Sequence, residues 1–302
     1  MTPREIPLIR NFELTSYCNL NCPICVEKTW QRNHISLKLL ETILSKNRDV
    51  FEGQSVWLHY RGEPLLYPQL EVALEMFEQF NVRTRLSTNG LLLTPQKIDM
   101  LLRSPLEGLV VSVITDDAVK YKELRGADKY TIVNDNVANL IAAHKECGSN
   151  MKIQVMALDY GQGVDKIKAF VRHYNGLGIE VSIHQYSDRV TQSRYHPEKE
   201  KSNTFKRLPC KWIFNDMVIL CDGSVTTCYY DLSSRLIMGN LEDYDYSILA
   251  FWDSEAYRKI RAEHESLSFE GACKECSDWI FEHPDIDKEK NTYVRLYTTQ
   301  HD

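Results

Sequence analysis

Apolar positions in the first two-thirds of the chain fall into two alternating rhythms. Short runs, mostly of β-branched and other apolar residues, predict strands at Phe12–Tyr17, Ser55–Tyr60, Arg83–Thr88, Gly108–Ile114, Lys152–Leu158 and Glu180–Tyr186. Near-continuous runs of this kind suit strands covered on both faces. Helical spacing fills the gaps. Ser36 is placed to cap a helix carrying Leu37, Leu40 and Leu44, and Pro68 sits at a first-turn position ahead of Leu70, Ala73, Leu74 and Phe77. Thr94-Pro95 repeats the start before Ile98, Leu101 and Leu102. Val133, Val137, Leu140, Ile141 and His144 share one helix face, as do Val164, Ile167, Phe170, Val171 and Tyr174. Six βα units in succession imply a parallel sheet, open or curled.

The rhythm breaks after Tyr186. Ser187–Phe205 is polar and charged and reads as a linker or surface loop, with a boundary near residues 190–207. Beyond it, Met217–Leu220 and Ser224–Thr227 flank an Asp222-Gly223 turn, which predicts a hairpin. A helical stretch follows near Ser247–His264. The expected division is residues 1–205 as the larger α/β unit and 206–302 as a smaller one.

Lys and Arg number 36 against 42 Asp and Glu, a net charge of −6. That balance argues against a broad grip on nucleic acid. No apolar run reaches the roughly 18 residues of a membrane span, and the N-terminus lacks a secretion-signal pattern. A cytoplasmic protein with no membrane partner is the expectation.

Nine cysteines are the outlier. An odd number, without a secretion signal, argues for metal or redox chemistry over disulfides. Cys18, Cys22 and Cys25 form Cys-x3-Cys-x2-Cys directly after the first expected strand. Three thiolates so close can meet at one metal centre and leave a fourth position open. Cys210, Cys228, Cys273 and Cys276 form a second set, with Cys210 and Cys228 bracketing the hairpin. A structural zinc is the competing reading for either set. Cys147 and Cys221 are left over. Cys147 reads as a spare thiol, and Cys221 either as a small core residue or as a hydrogen-atom donor.

Tyr17-Cys18-Asn19-Leu20-Asn21-Cys22-Pro23-Ile24-Cys25 resembles the signature of the radical S-adenosylmethionine (radical SAM) enzymes. The resemblance implies a partial (β/α)6 TIM-type barrel, with a [4Fe–4S] cluster on Cys18, Cys22 and Cys25 that binds AdoMet. Gly62-Glu63-Pro64 resembles the segment that contacts the AdoMet amino group, and Ser87-Thr88-Asn89-Gly90 the ribose-side segment. Ser112 and Arg125 resemble positions that face the carboxylate. Two departures stand out: Ile24 where an aromatic is common, and Arg61 where the family often has glycine. The second cysteine set, with Met238-Gly239-Asn240-Leu241 and Trp252, resembles the C-terminal SPASM/twitch extension. No cysteine follows Cys276, which fits the shorter twitch form of hairpin plus helix with one auxiliary [4Fe–4S] cluster. The resemblance covers roughly residues 10–280.

What this implies is an oxidoreductase that cleaves AdoMet to a 5′-deoxyadenosyl radical and takes hydrogen from a small polar substrate, sugar- or aminocyclitol-like. An alcohol would become a ketone, with the auxiliary cluster accepting an electron. The first cluster would draw its own electron from an external donor such as flavodoxin or ferredoxin. Residues near the expected strand ends that could reach the barrel mouth are His59, Tyr60, Arg61, Gln154, Met156, His184 and Tyr186. Strand alternation would put His59 and Arg61 on one face and Tyr60 on the other. Arg61 and His184 are the preferred catalytic candidates. Three alternatives stand. One is a maturase of ribosomal peptides, for which the 17 residues before Cys18 are few to form a peptide-binding wing. Another is a redox-neutral epimerase using Cys221 as donor, and the last is a zinc-stapled binding protein.

Overall fold

A computed structural model describes residues 1–26, 28–185, 207–276 and 279. Six parallel strands run in chain order: β1 Leu8–Phe12, β2 Ser55–Trp57, β3 Arg83–Thr88, β4 Leu106–Ile114, β5 Lys152–Asp159 and β6 Glu180–Gln185. Each lies beside its sequence neighbour, with helices in the connections, which is the partial (β/α)6 barrel. Phe12, Leu86, Val111 and Val155, on the face of the sheet turned toward the helices, are fully buried and belong to one core with Leu40, Leu74, Leu101 and Leu140 from those helices.

Helix starts follow the chemistry of their caps. Ser36 accepts from Leu39 N and opens Leu37–Lys46; Thr94 accepts from Lys97 N and opens Pro95–Arg103 with Pro95 at its first position. Pro68 does not begin the next helix, which runs Leu70–Gln79 with Gln69 as its cap. The stretch near 247–264 holds two helices, Ile248–Trp252 and Glu255–Glu265. Ser254 caps the second, its side chain accepting from Tyr257 N.

The first strand ends five residues early, at Phe12, and Glu13–Tyr17 forms the approach to the cysteine loop. The second ends at Trp57, so His59, Tyr60 and Arg61 are loop residues, not alternating strand positions. Their directions are set by partners: His59 takes a bond from Ser87 N, Tyr60 reaches Cys228, and Arg61 pairs with Glu13. Tyr186 and the 187–205 stretch lie outside the described residues.

The C-terminal hairpin forms as β7 Asp216–Ile219 and β8 Ser224–Thr226, with a third strand, β9 Ile237–Asn240, beyond it. Its position is what the sequence did not announce. β7 pairs parallel with β1, so the hairpin extends the barrel sheet in the order β6-β5-β4-β3-β2-β1-β7-β8-β9.

Candidate active site

A cavity of about 430 Å3 opens at the C-terminal ends of the barrel strands, where this architecture places its chemistry. Cys18, Cys22 and Cys25 line one wall, together with Gly62, Glu63, Ser87, Asn89, Ser112 and Arg125. His59 comes from the loop after β2, Gln154 from within β5 and His184 from the end of β6, and Trp212, Tyr229 and Leu232 from the C-terminal unit.

The cysteine loop is held from several directions. Cys25 N donates to Cys22 O at 3.0 Å, closing a tight turn, and Lys28 Nζ donates to Leu20 O. Arg125 closes a helix, Ala118–Arg125, whose C-cap Gly126 has φ 69. A Cβ on Gly126 would lie 3.1 Å from Pro23 Cδ and 3.3 Å from Asn21 O, so glycine lets the helix end press against the loop. Arg125 donates to Ser112 O, and its Nη1 lies 3.8 Å from Cys22 Sγ. At the end of β4, Ile114 has φ 65, a backbone state that a β-branched residue rarely adopts; it bends the strand beside the cavity.

Gly62 fits where nothing larger can. A Cβ there would stand 2.1 Å from Thr15 O and 2.7 Å from Tyr17 O. The next residue's N–H donates to Tyr17 O at 2.7 Å, binding this segment to the Glu13–Tyr17 stretch that leads into Cys18. The Glu63 carboxylate is 2% exposed and points to neighbouring chain segments. It accepts from Thr88 Oγ1 at 2.7 Å, Asn89 N at 2.8 Å and Leu65 N at 3.1 Å, and it caps the short turn that Pro64 begins. Burial raises its pKa against these stabilising bonds. Asn89 Nδ2 reaches Asn19 Oδ1 at 2.7 Å, while the Ser87 and Ser112 hydroxyls meet at 3.2 Å. The motif segments therefore interlock around one cavity.

The preferred catalytic candidates divide. His184 lines the cavity, close enough to His59 to help lower its pKa to about 4, an effect led by burial. Arg61 also borders the cavity, but its guanidinium is committed. Nε and Nη2 bond Glu13 at 2.9 and 2.6 Å, and Nη1 bonds Ser234 Oγ at 2.8 Å. An arginine held cationic in this way cannot serve as a base. Cys221 is 2% exposed and packs in the hydrophobic core, away from the cavity lining. Burial and the adjacent Glu13 push its thiol up to about 12.

Cys210, Cys228, Cys273 and Cys276 approach one another in the C-terminal unit. The charges of Cys210 and Cys276 both bear on Cys228, whose burial raises its pKa well above the ordinary thiol range. Cys273 is pushed to about 12 by burial and by Cys276. Such thiols become thiolates when a cationic centre takes the place of the proton. Among the described residues, no three His, Cys, Asp or Glu side chains gather as a site for a single metal ion. A four-iron cubane, whose irons alternate with sulfides at the corners, asks for thiolates spread further apart than a single zinc ion does. The all-sulfur donor sets, one of three and one of four, suit iron–sulfur clusters. Arg125 Nε, a buried donor with no hydrogen-bond partner, suits a ligand carboxylate.

Sequence reasoning missed Glu13 and Asn19 as parts of this site, and it offered Tyr60 as a strand-end candidate without its bonds to the C-terminal unit. Glu13 and Tyr60 bind across 48 and 171 residues of chain, and no local spacing reports such contacts. Asn19 lay inside the recognised motif but took meaning only beside Asn89.

Residues 12–187 match the Radical SAM superfamily, and 210–277 match SPASM, an iron–sulfur cluster-binding domain. The chain belongs to the radical SAM superfamily. It is an oxidoreductase of that class, with AdoMet, one AdoMet-binding [4Fe–4S] cluster and one auxiliary [4Fe–4S] cluster as its cofactors. It is 22% identical to the S-adenosyl-L-methionine-dependent 2-deoxy-scyllo-inosamine dehydrogenase of Niallia circulans, over 88% of this chain and 91% of that one. Among solved structures, Streptococcus suis SuiB bound to precursor peptide SuiA has a TM-score of 0.70 at 21% identity, covering 86% of this chain and 68% of its own. BtrN in complex with AdoMet and 2-DOIA has a TM-score of 0.57 at 20% identity, covering 90% and 94%. Among the described residues, no helix is long and apolar enough to cross a membrane.

Proposed function

We propose that this enzyme oxidises an alcohol of a small polar, sugar- or aminocyclitol-like substrate to a ketone. The observation that carries the reading is the continuous cavity wall, which runs from the Cys18–Cys22–Cys25 loop past His59 and His184 to Tyr229, the residue after Cys228. Cys18, Cys22 and Cys25 hold the AdoMet-binding cluster, and Cys210, Cys228, Cys273 and Cys276 hold the auxiliary one. When bound, these groups supply a hydrogen-abstracting 5′-deoxyadenosyl radical and an acceptor for the electron the substrate then gives up.

The chain's own residues bind and orient. Gly62-Glu63-Pro64 keeps backbone groups open to the AdoMet amino end, with Ser87 and Asn89 on the ribose side and Ser112 and Arg125 toward the carboxylate. His184 takes the hydroxyl proton as the carbinol becomes a carbonyl. His59 accepts from Ser87 N at Nδ1, which leaves its proton on Nε2 as a neutral donor to substrate oxygen. Trp212, Tyr229 and Leu232 shield the site from water. An epimerase role for Cys221 is disfavoured by the burial of that thiol outside the cavity. The division into residues 1–205 and 206–302 belongs to this reading, with an external flavodoxin- or ferredoxin-like electron donor.

The test is anaerobic turnover of the reconstituted enzyme with AdoMet, a reductant and a panel of cyclitols that begins with 2-deoxy-scyllo-inosamine. The expected result is one ketone per deoxyadenosine, with carbinol deuterium carried into deoxyadenosine. Inverted alcohol without ketone, or turnover only on peptides, would overturn it.

A further inference from the structure

Arg207 stands three residues before Cys210 and has no part in the cavity or the AdoMet motifs. Its Nη1 donates to Cys276 O at 2.7 Å and its Nη2 to Cys273 O at 3.3 Å. The guanidinium lies 4.5 Å from the Phe269 ring centre and 5.0 Å from that of Trp279. Cys276, Cys210 and Cys273 all act on it electrostatically. A fixed cation is thus half-buried between two aromatic rings and beside three of the four thiols.

Other charges face the same group. Asp231 bears on Cys228 and Cys273, and Glu263 on Cys273. The Asp231 carboxylate is covered by bonds from Ser233 Oγ, Arg235 N and Leu236 N, with the Arg235 side chain also acting on it. His264 accepts from Cys210 N through Nδ1, and burial together with Arg207 keeps its ring neutral.

We propose that Arg207 is a redox-positioning residue that raises the reduction potential of the auxiliary cluster and so suits it to accept an electron. The physical basis is charge. A one-electron reduction adds a negative charge to a cluster already ringed by thiolates, and a nearby cation in a water-poor setting stabilises the reduced form most. The aromatic rings hold the guanidinium in place and keep water from screening it. The two carbonyl bonds fix its distance from the Cys273–Cys276 loop. The inference rests on the four-cysteine ligand set proposed above.

The test uses the full-length chain carrying Cys18→Ala, Cys22→Ala and Cys25→Ala, so that only the auxiliary cluster is read. Iron content comes first: about four irons per chain support the ligand set, and none would sink that reading separately. Potentiometric titration followed by electron paramagnetic resonance then compares Arg207→Gln and Arg207→Lys with the parent. Arg207→Gln keeps donors but no charge, and should shift the reduction equilibrium at least tenfold toward the oxidised form, about 59 mV. Arg207→Lys should stay within about threefold. A potential unchanged in Arg207→Gln overturns the proposal. If Arg207→Gln fails to load iron, Arg207→Lys decides: a tenfold fall despite the retained charge also overturns it.

Discussion

Arg61 and Glu13 form a bidentate ion pair in which Glu13 is fully buried and the Arg61 side chain 5% exposed. The pair joins the exit of β1 to the loop after β2, and Ser234 and the Cys221 backbone N–H bond to the same two side chains. Arg61 occupies the position where the family motif often has glycine. Here the larger residue ties the barrel mouth to the C-terminal unit. Its guanidinium also lies 5.1 Å from the Trp30 ring centre.

Replacing Arg61 with Met should be costly, because Glu13 would keep its charge with no cation beside it, only the backbone N–H groups of residue 61 and Cys221. A loss of about 3–5 kcal/mol is expected in urea unfolding of the cluster-loaded protein. The Arg61→Met/Glu13→Gln double variant should lose less than Arg61→Met alone. A larger loss in the double variant would mean that the pair acts mainly through packing.

Gly62→Ala would drive a methyl group into the Thr15 and Tyr17 carbonyls. The segment must shift, and with it the AdoMet amino contact proposed for it. Reductive AdoMet cleavage should fall by about 100-fold or more, as displacements of roughly 1 Å do in active sites. The auxiliary cluster should load normally. Unchanged deoxyadenosine release would show that the loop yields without cost.

His59 gives stability a pH dependence with a defined sign. Burial, assisted by His184, lowers its pKa from 6.5 to about 4. Between those values the unfolded chain binds a proton that the folded chain refuses. Its contribution is therefore complete above pH 6.5 and is lost as pH falls toward 4. His59→Gln should reduce the slope of unfolding free energy against pH in that window by about one proton. An unaltered slope would place the ring in contact with water.

The cysteine sets should separate by iron count and product. Wild type should hold about eight irons. The Cys18→Ala/Cys22→Ala/Cys25→Ala variant should hold about four and release no deoxyadenosine. Cys221→Ala should keep both clusters and still form ketone, since its thiol lies in the core. Loss of turnover with both clusters intact would restore a chemical role for Cys221.

Much of this was legible along the chain because its signals are local. The β3 bounds, the Ser36 and Thr94 caps and the Asp222-Gly223 turn each depend on a few adjacent residues. The Cys18–Cys25 loop and the motifs at Gly62, Ser87 and Arg125 are read the same way. Strand ends were less legible: apolar Leu14 and Leu58 continue the strand pattern, yet both lie in loops buried by tertiary packing.

By itself, the sequence determined the βα order, both thiolate sets and the chemistry those sets support, because periodicity, capping and ligand type are written in short spacings. Tertiary structure alone decided that β7 joins the barrel sheet beside β1, and that Glu63 fastens Thr88 and Asn89. It also committed Arg61 to Glu13 and put Cys221 in the core, not in the cavity lining. Those outcomes depend on which distant groups meet once water is excluded. Burial then turns each meeting into a fixed bond, a shifted pKa or a shielded thiol, none of which has a local pattern in the chain.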